Sequence, residues 1–292
     1  MTHSVLVPMD GGDSSVDALE YALRRHPESE ITVLHVIGLV DTASQLEQPP
    51  DGLETEYRRA KAAAERLFDE ARDRAAEAGV ELTTALEYGP PSEVIPEYAE
   101  STRVDHIIMG EHGQSGSPAI LLGSVAETVA RRATAPVTVV RNPNLSDDER
   151  VLVPVDGSDP SNAALSFALD SLPNASVTVM CVAEPVEPEY DPADEHTPDP
   201  ADTDALFERA EREAEGILTQ ATELADSHGV DVETVLQTGE PHRCIVSYAD
   251  EHGVDHVVLG SHGRAGLRRL LLGSVAERVL RRSNATVTVV RD

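Results

Sequence analysis

The apolar positions of this chain follow two alternating periods. Short continuous runs such as Val5-Leu6-Val7 and His106-Ile107-Ile108-Met109 are apolar at successive positions, as in strands covered on both faces. Between them lie stretches with apolar residues three and four apart, such as Val16, Leu19, Ala22 and Leu23, the spacing of one buried helix face. In the first half, strands are predicted at 4–9, 30–37, 80–87, 105–109 and 136–141, with helices at 14–25, 53–78, 92–101 and 124–132. Gly79 stands where a C-terminal cap ends the long helix. The second half repeats the order: strands at 150–155, 176–182, 230–237, 255–259 and 286–291, helices near 160–171, 204–228, 241–252 and 274–283.

The repeat is also literal. Residues 5–23 align without a gap on 151–169, with 12 of 19 positions identical. Farther on, VDH at 104–106 recurs at 254–256, LLGSVAE at 121–127 recurs at 271–277, and VTVVR at 137–141 recurs at 287–291. A unit of this length is a domain rather than a solenoid repeat. The expected organisation is one domain over 1–142, a polar linker over 143–149, and a second domain over 150–292. Strands alternating with helices predict a Rossmann-like α/β architecture in each copy: a five-stranded parallel sheet with helices on both faces, and ligands at the carboxyl ends of its strands. Glu184–Asp204, acidic and rich in proline, falls outside the frame and reads as a solvated loop.

Charge narrows the function classes. Lys+Arg number 23 against 53 Asp+Glu, a formal net charge of −30, and Lys61 is the only lysine. Such an acidic, lysine-poor surface suits a halophile's protein, because in molar salt the Debye length falls to roughly 3 Å and self-repulsion is screened. The same field excludes nucleic acid and anionic bilayers as partners, since both need basic residues to displace counterions. No apolar run reaches membrane-span length, and the first residues lack a basic, cleavable leader, so the expected location is cytoplasmic. Cys181 and Cys244 form no disulfide framework or metal spacing and read as buried, reduced residues.

The candidate chemistry follows the fourth strand of each copy. Gly110-Glu-His-Gly113 precedes Gly123-Ser124 by nine residues, and Gly260-Ser-His-Gly263 precedes Gly273-Ser274 by nine. Glycines let backbone N–H groups turn toward an anion, and the second stretch opens a helix whose N-terminus attracts negative charge. Ser124 and Ser274 are placed to cap those helices and to donate a hydroxyl to a phosphate. Arg264, Arg268 and Arg269 add cations in the second copy; the first has Gln114, Ser115, Ser117 and Pro118 in that stretch and no cation between Gly113 and Gly123. The second site is therefore expected to be the stronger. No G-x4-G-K-[ST] sequence occurs, so a P-loop is excluded. His112 and His262 inside the loops, and His106 and His256 at the starts of the fourth strands, read as structural. No nucleophile elbow or metal-ligand spacing is present.

A first strand ending Pro-x-Asp-Gly, four further strands, and G-x2-G-x9-G-S opening a helix resemble the ATP-binding class of universal stress proteins, twice along the chain. The resemblance implies an adenine nucleotide alpha hydrolase-like fold and bound ATP, with magnesium or manganese on its phosphates. It implies adenine contacts from Asp10 and Asp156, flanked by Val36 and Val182. Ribose and phosphate contacts fall to Gly110, Gly113, Gly123 and Ser124 in the first copy. In the second they fall to Gly260, Gly263, Gly273 and Ser274, with Arg264 beside them. It further implies a pseudo-dimer of the two copies within one chain through their terminal strands, open to homodimer formation, and a protein client that the sequence does not name. A nucleotide-free interaction scaffold and a slow ATP-hydrolysing or adenylating enzyme remain as alternatives.

Overall fold

The structure, a computed structural model, describes residues 3–38, 53–113, 122–143, 148–184, 200–262 and 272–291. It divides into two compact units, one built on Met1–Leu145 and the other on Ser146–Ala285. The first contains β1 (Ser4–Pro8), α1 (Asp13–Arg25), β2 (Glu30–Ile37), α2 (Leu53–Glu77), β3 (Leu82–Tyr88), α3 (Pro91–Thr102), β4 (His106–Gly110), α4 (Ser124–Arg132) and β5 (Val137–Val140). The second copy of the sequence repeats the series as β6 (Arg150–Pro154), α5 (Asp159–Ser171), β7 (Ser176–Ala183), α6 (Pro200–Ser227), β8 (Glu233–Thr238), α7 (Pro241–His252), β9 (His256–Gly260), α8 (Ser274–Arg282) and β10 (Thr286–Val290).

The first copy's strands lie in the order β3-β2-β1-β4-β5, and the second copy's in the order β10-β9-β6-β7-β8. In the first, the pairs are parallel: Val5 lies opposite Ile31 and His106, Ile31 opposite Leu82, and Ile107 opposite Val137. In the second, Val151 lies opposite Val177 and His256, again parallel, as is Thr178 opposite Glu233. The chain leaves β1 for β2 and β3 on one side and returns for β4 on the other. The carboxyl ends of β1 and β4 therefore flank the topological switch point, where doubly wound sheets bind ligands.

Burial explains why these segments take these forms. Val5, Leu6 and Val7 are buried at successive positions because helices cover both faces of the strand. On α2 the buried residues are Ala64, Leu67, Phe68, Ala71 and Ala75, one stripe on an otherwise charged helix, and α6 repeats it with Ala214, Ile217, Leu218, Ala221 and Ala225. Helix α1 begins with Asp13 and ends with Arg24 and Arg25, which complements its dipole.

Some boundaries differ from the sequence expectation for identifiable reasons. Strands β3 and β8 start two to three residues later than expected, at Leu82 and Glu233. The N–H groups of Val80 and Val230 are spent closing the preceding helices, on the carbonyls of Ala75 and Ala225. Gly79 and Gly229 take the left-handed conformation there, at φ +72° and +71°, so these helices end in the expected glycine cap. Of the acidic stretch read as a loop, Pro200–Asp204 already belongs to α6, while 185–199 lie outside the described residues. Cys181 is buried, but Cys244, on α7, is only half-buried.

Leu19 and Leu165 occupy equivalent, fully buried positions on α1 and α5. Leu19→Ala and Leu165→Ala are each expected to cost about 2–5 kcal/mol, read from the shift of the denaturant midpoint.

Candidate functional site

The first copy's site begins where β1 ends. Met9 continues the ladder by donating its N–H to the Leu34 carbonyl at 2.8 Å, and the chain then turns sharply at Gly11, φ +85°. Asp10 braces that turn: its Oδ1 accepts the Gly12 N–H at 3.0 Å, an Asx turn in which a side chain stands in for a backbone carbonyl. The helix cap is Gly12, and the Ser15 hydroxyl donates to the Gly12 carbonyl at 2.8 Å while accepting the Gly11 N–H at 3.2 Å. In the second copy Ser158 is the cap of α5, and Asp156 Oδ1 accepts its N–H at 3.0 Å. Both aspartates thus precede their helices and shape the turn without capping.

Glycine is required at the end of the fourth strand because helix α1 starts against it. A Cβ on Gly110 would lie 2.3 Å from the Ser14 carbonyl oxygen, and one on Gly260 would lie 2.6 Å from the Pro160 carbonyl carbon. Gly113 runs against the aspartate: a Cβ there would lie 2.7 Å from Asp10 Oδ2. The loop that follows is pinned at its neck, where Gly123 donates its N–H to the Glu111 carbonyl at 2.8 Å. Gly273 does the same to the Ser261 carbonyl at 2.7 Å.

Helix α4 opens directly from that neck. Its N-cap is Gly123, which has no side chain to offer the first-turn N–H groups, and Gly273 is the corresponding cap of α8. Ser124 and Ser274, expected as caps, are instead the first helical residues and are exposed. The capping position falls one residue earlier because the neck hydrogen bond fixes the glycine in extended backbone. The result is a helix end that presents N–H groups and partial positive charge to whatever lies before it.

What lies before it is a cavity of about 190 Å³. Asp10, Val36, Gly110, Gly113, Gly123 and Ser124, the six residues singled out in the first copy, all line it. Leu34, Ile95, Pro91 and Met109 supply an apolar wall, which the sequence reading missed. Their signal was available: the counterparts Met180, Ile245, Pro241 and Leu259 hold the same places in the repeat. In the second copy Asp156, Val182, Gly260, Gly273 and Ser274 occupy the equivalent positions, while Gly263, Arg264, Arg268 and Arg269 lie outside the described residues, as do Gln114–Pro118.

The rim of the first site carries a charged chain that the sequence also did not disclose. Arg141 Nε donates to Glu111 Oε2 at 2.9 Å, and Glu111 Oε1 lies 3.3 Å from His112 Nδ1. Burial lowers the Arg141 pKa, and the Glu111 carboxylate works against that shift. A carboxylate only accepts, so a hydrogen bond here is donated from His112 Nδ1, and the ring's other nitrogen is Nε2. That nitrogen is buried without a hydrogen-bond partner. The second copy has Ser261 in place of Glu111, with its hydroxyl 2.9 Å from His262 Nδ1. Among the described residues no group of His, Cys, Asp or Glu is arranged to hold a metal ion, and no helix is long and apolar enough to cross a membrane.

Comparison with known proteins gives a consistent picture. The sequence profile of the Universal stress protein family matches residues 1–141 and again 149–291. The universal stress protein Rv2005c of Mycobacterium tuberculosis is 31% identical over 314 aligned residues, covering 99% of this chain and 97% of that one. The universal stress protein MJ0531 of Methanocaldococcus jannaschii is 34% identical over 140 residues, 48% of this chain and 82% of its own. Among solved structures, a universal stress protein from Archaeoglobus fulgidus superposes with a TM-score of 0.71 at 23% identity, covering 99% of this chain and 98% of that one.

The close approach at the fourth strand yields a direct test. Gly110→Ala sets a methyl against backbone that cannot rotate away, and is expected to destabilise the first unit by about 1–3 kcal/mol, seen in the denaturant midpoint. Gly216, on α6, has open space at its Cβ position, so Gly216→Ala is expected to be neutral or stabilising.

Proposed function

This chain belongs to the universal stress protein family, and from that premise we propose that it is an adenine-nucleotide-binding regulatory module with ATP as its ligand. The observation that carries the reading is the cavity of the first copy. It brings an apolar wall, an aspartate at the end of β1 and an uncapped helix N-terminus behind a glycine-built neck to one place. A flat, weakly polar base suits the first, an exocyclic amine suits the second, and a phosphate suits the third.

In this reading Asp10 and Asp156 accept a hydrogen bond from the adenine amine, and Val36 and Val182 flank the ring. Gly110 and Gly260, with Gly113 and Gly263, give the ribose close access to backbone. Gly123, Ser124 and the start of α4 take the phosphates; Gly273, Ser274 and the start of α8 do so in the second copy. Magnesium or manganese would be carried on the phosphates. The second site binds more tightly, because Arg264, Arg268 and Arg269 stand in a loop where the first copy has no cation. Charge-assisted contacts to phosphate contribute roughly 1.5–3 kcal/mol each. The protein works in the cytoplasm, in molar salt. There a net charge of −30 no longer repels an anionic ligand.

Calorimetric titration of Mg-ATP in molar KCl tests the assignment. Two classes of site are expected, the tighter by about tenfold or more, equivalent to one charge-assisted contact. Asp156→Ala should remove the tighter class and Asp10→Ala the weaker. Equal affinities would contradict the ranking of the sites, and absence of binding would contradict the function.

A further inference from the structure

The amino ends of β1 and β4, opposite the cavity, hold three imidazoles in mutual contact. His26 lies 5.6 Å from His3 and 5.3 Å from His106 between ring centroids, and His3 lies 6.3 Å from His106. His106 is 3% exposed and its Nε2 bonds the Thr138 hydroxyl at 2.8 Å. His26 ends α1, donating its N–H to the Ala22 carbonyl, and its Nε2 is buried without a hydrogen-bond partner. Two protonated rings at these separations repel each other, and a charge on His26 would find no acceptor at Nε2.

The charged groups around the cluster do not offset this. Arg25 precedes His26 on α1 and carries the same sign as an imidazolium. Asp105 precedes His106, but its Oδ2 accepts the Ser4 N–H at 2.8 Å and the Ser4 hydroxyl at 3.0 Å, and lies 3.7 Å from His3 Nδ1. It answers a charge on His3 first. Glu28, on the turn after α1, and Glu30, at the start of β2, are exposed, as is Arg103 at the end of α3.

The second copy is an internal control. Its residues at these three places are Glu149, Leu172 and His256, and its aspartate, Asp255, accepts the Arg150 N–H as Asp105 accepts that of Ser4. His256 Nδ1 lies 3.5 Å from Glu149 Oε1, both side chains buried. A buried carboxylate thus stands beside the imidazole in this copy, and Leu172 carries no charge.

We propose that the His3–His26–His106 cluster makes the first copy an acid-sensitive unit, loosening β1 and β4 and the cavity at their far ends when protons bind, while the second copy holds. The coupling is short, because β4 runs only from His106 to Gly110. Burial and the neighbouring His3 and Arg25 lower the His26 pKa to about 4. With the unfolded value near 6.5, the unfolded chain binds the proton first. The stability contributed by a neutral His26 is full above about pH 6.5 and is lost down to about pH 4, with the folding equilibrium shifting about tenfold per pH unit in that window.

Hydrogen exchange of the full chain in molar KCl, resolved by peptide and corrected for the intrinsic pH effect, tests this without any nucleotide. Between about pH 6.5 and pH 4.5, protection of β1 and β4 is expected to fall roughly tenfold per unit more than that of β6 and β9. Carboxylate protonation acts on both copies and is removed by the comparison. His26→Leu, the second copy's own residue, should abolish the difference, and His3→Glu should reduce it by supplying a carboxylate. Parallel loss of protection in the two copies would overturn the proposal. So would an unchanged pH response in either variant, His3→Glu serving alone if His26→Leu does not fold.

Discussion

The site depends on one close approach: the last residue of the fourth strand lies against the first turn of the helix that follows the first strand. Gly110 leaves no room for a Cβ beside the Ser14 carbonyl, and Gly260 leaves none beside the Pro160 carbonyl group. This contact draws β1, β4 and α1 together at the switch point. It lets the loop after Gly110 pass over the Asp10 carboxylate and sets the neck from which α4 departs. A larger residue would move the strand end outward, and the apolar wall and the helix N-terminus would no longer face the same space.

Most of the architecture was legible because both periods are strong and are written twice. Runs such as Val151-Leu152-Val153 and stripes such as Ala214, Ile217, Leu218 and Ala221 leave little choice of element. The strand-end aspartate and the three glycines were legible for a related reason, since their spacing reflects close approaches that leave no room for a Cβ. Side-chain relations across the fold were not. Glu111 sits at a variable position of its motif, and only the folded sheet places Arg141, thirty residues later, against it. The apolar wall at Ile95 and Pro91 was missed because nothing local marks those residues as part of a site; only their recurrence as Ile245 and Pro241 does. The capping role expected of Ser124 and Ser274 failed by one residue, since a neck hydrogen bond took precedence over side-chain propensity.

The two copies share a backbone plan and differ where side chains meet it. At the carboxyl ends of the strands, Glu111 ties Arg141 to His112 in the first copy, whereas Ser261 makes a neutral contact with His262 in the second. At the amino ends, the first copy has three imidazoles where the second has a buried carboxylate–imidazole pair and a leucine. Duplication preserved the glycines and aspartates that shape the site, while the surrounding charges diverged. The two copies therefore offer one backbone design with different side-chain charges around it.

The most direct measurement is the nucleotide content of the chain purified and held in molar KCl, then released by heat and identified by chromatography. The account predicts adenine nucleotide, chiefly ATP, at between about one and two per chain, the tighter second site filling first. A chain that carries none, and takes up none when Mg-ATP is added at the same salt, would contradict it and leave the glycine-built necks as purely structural connections.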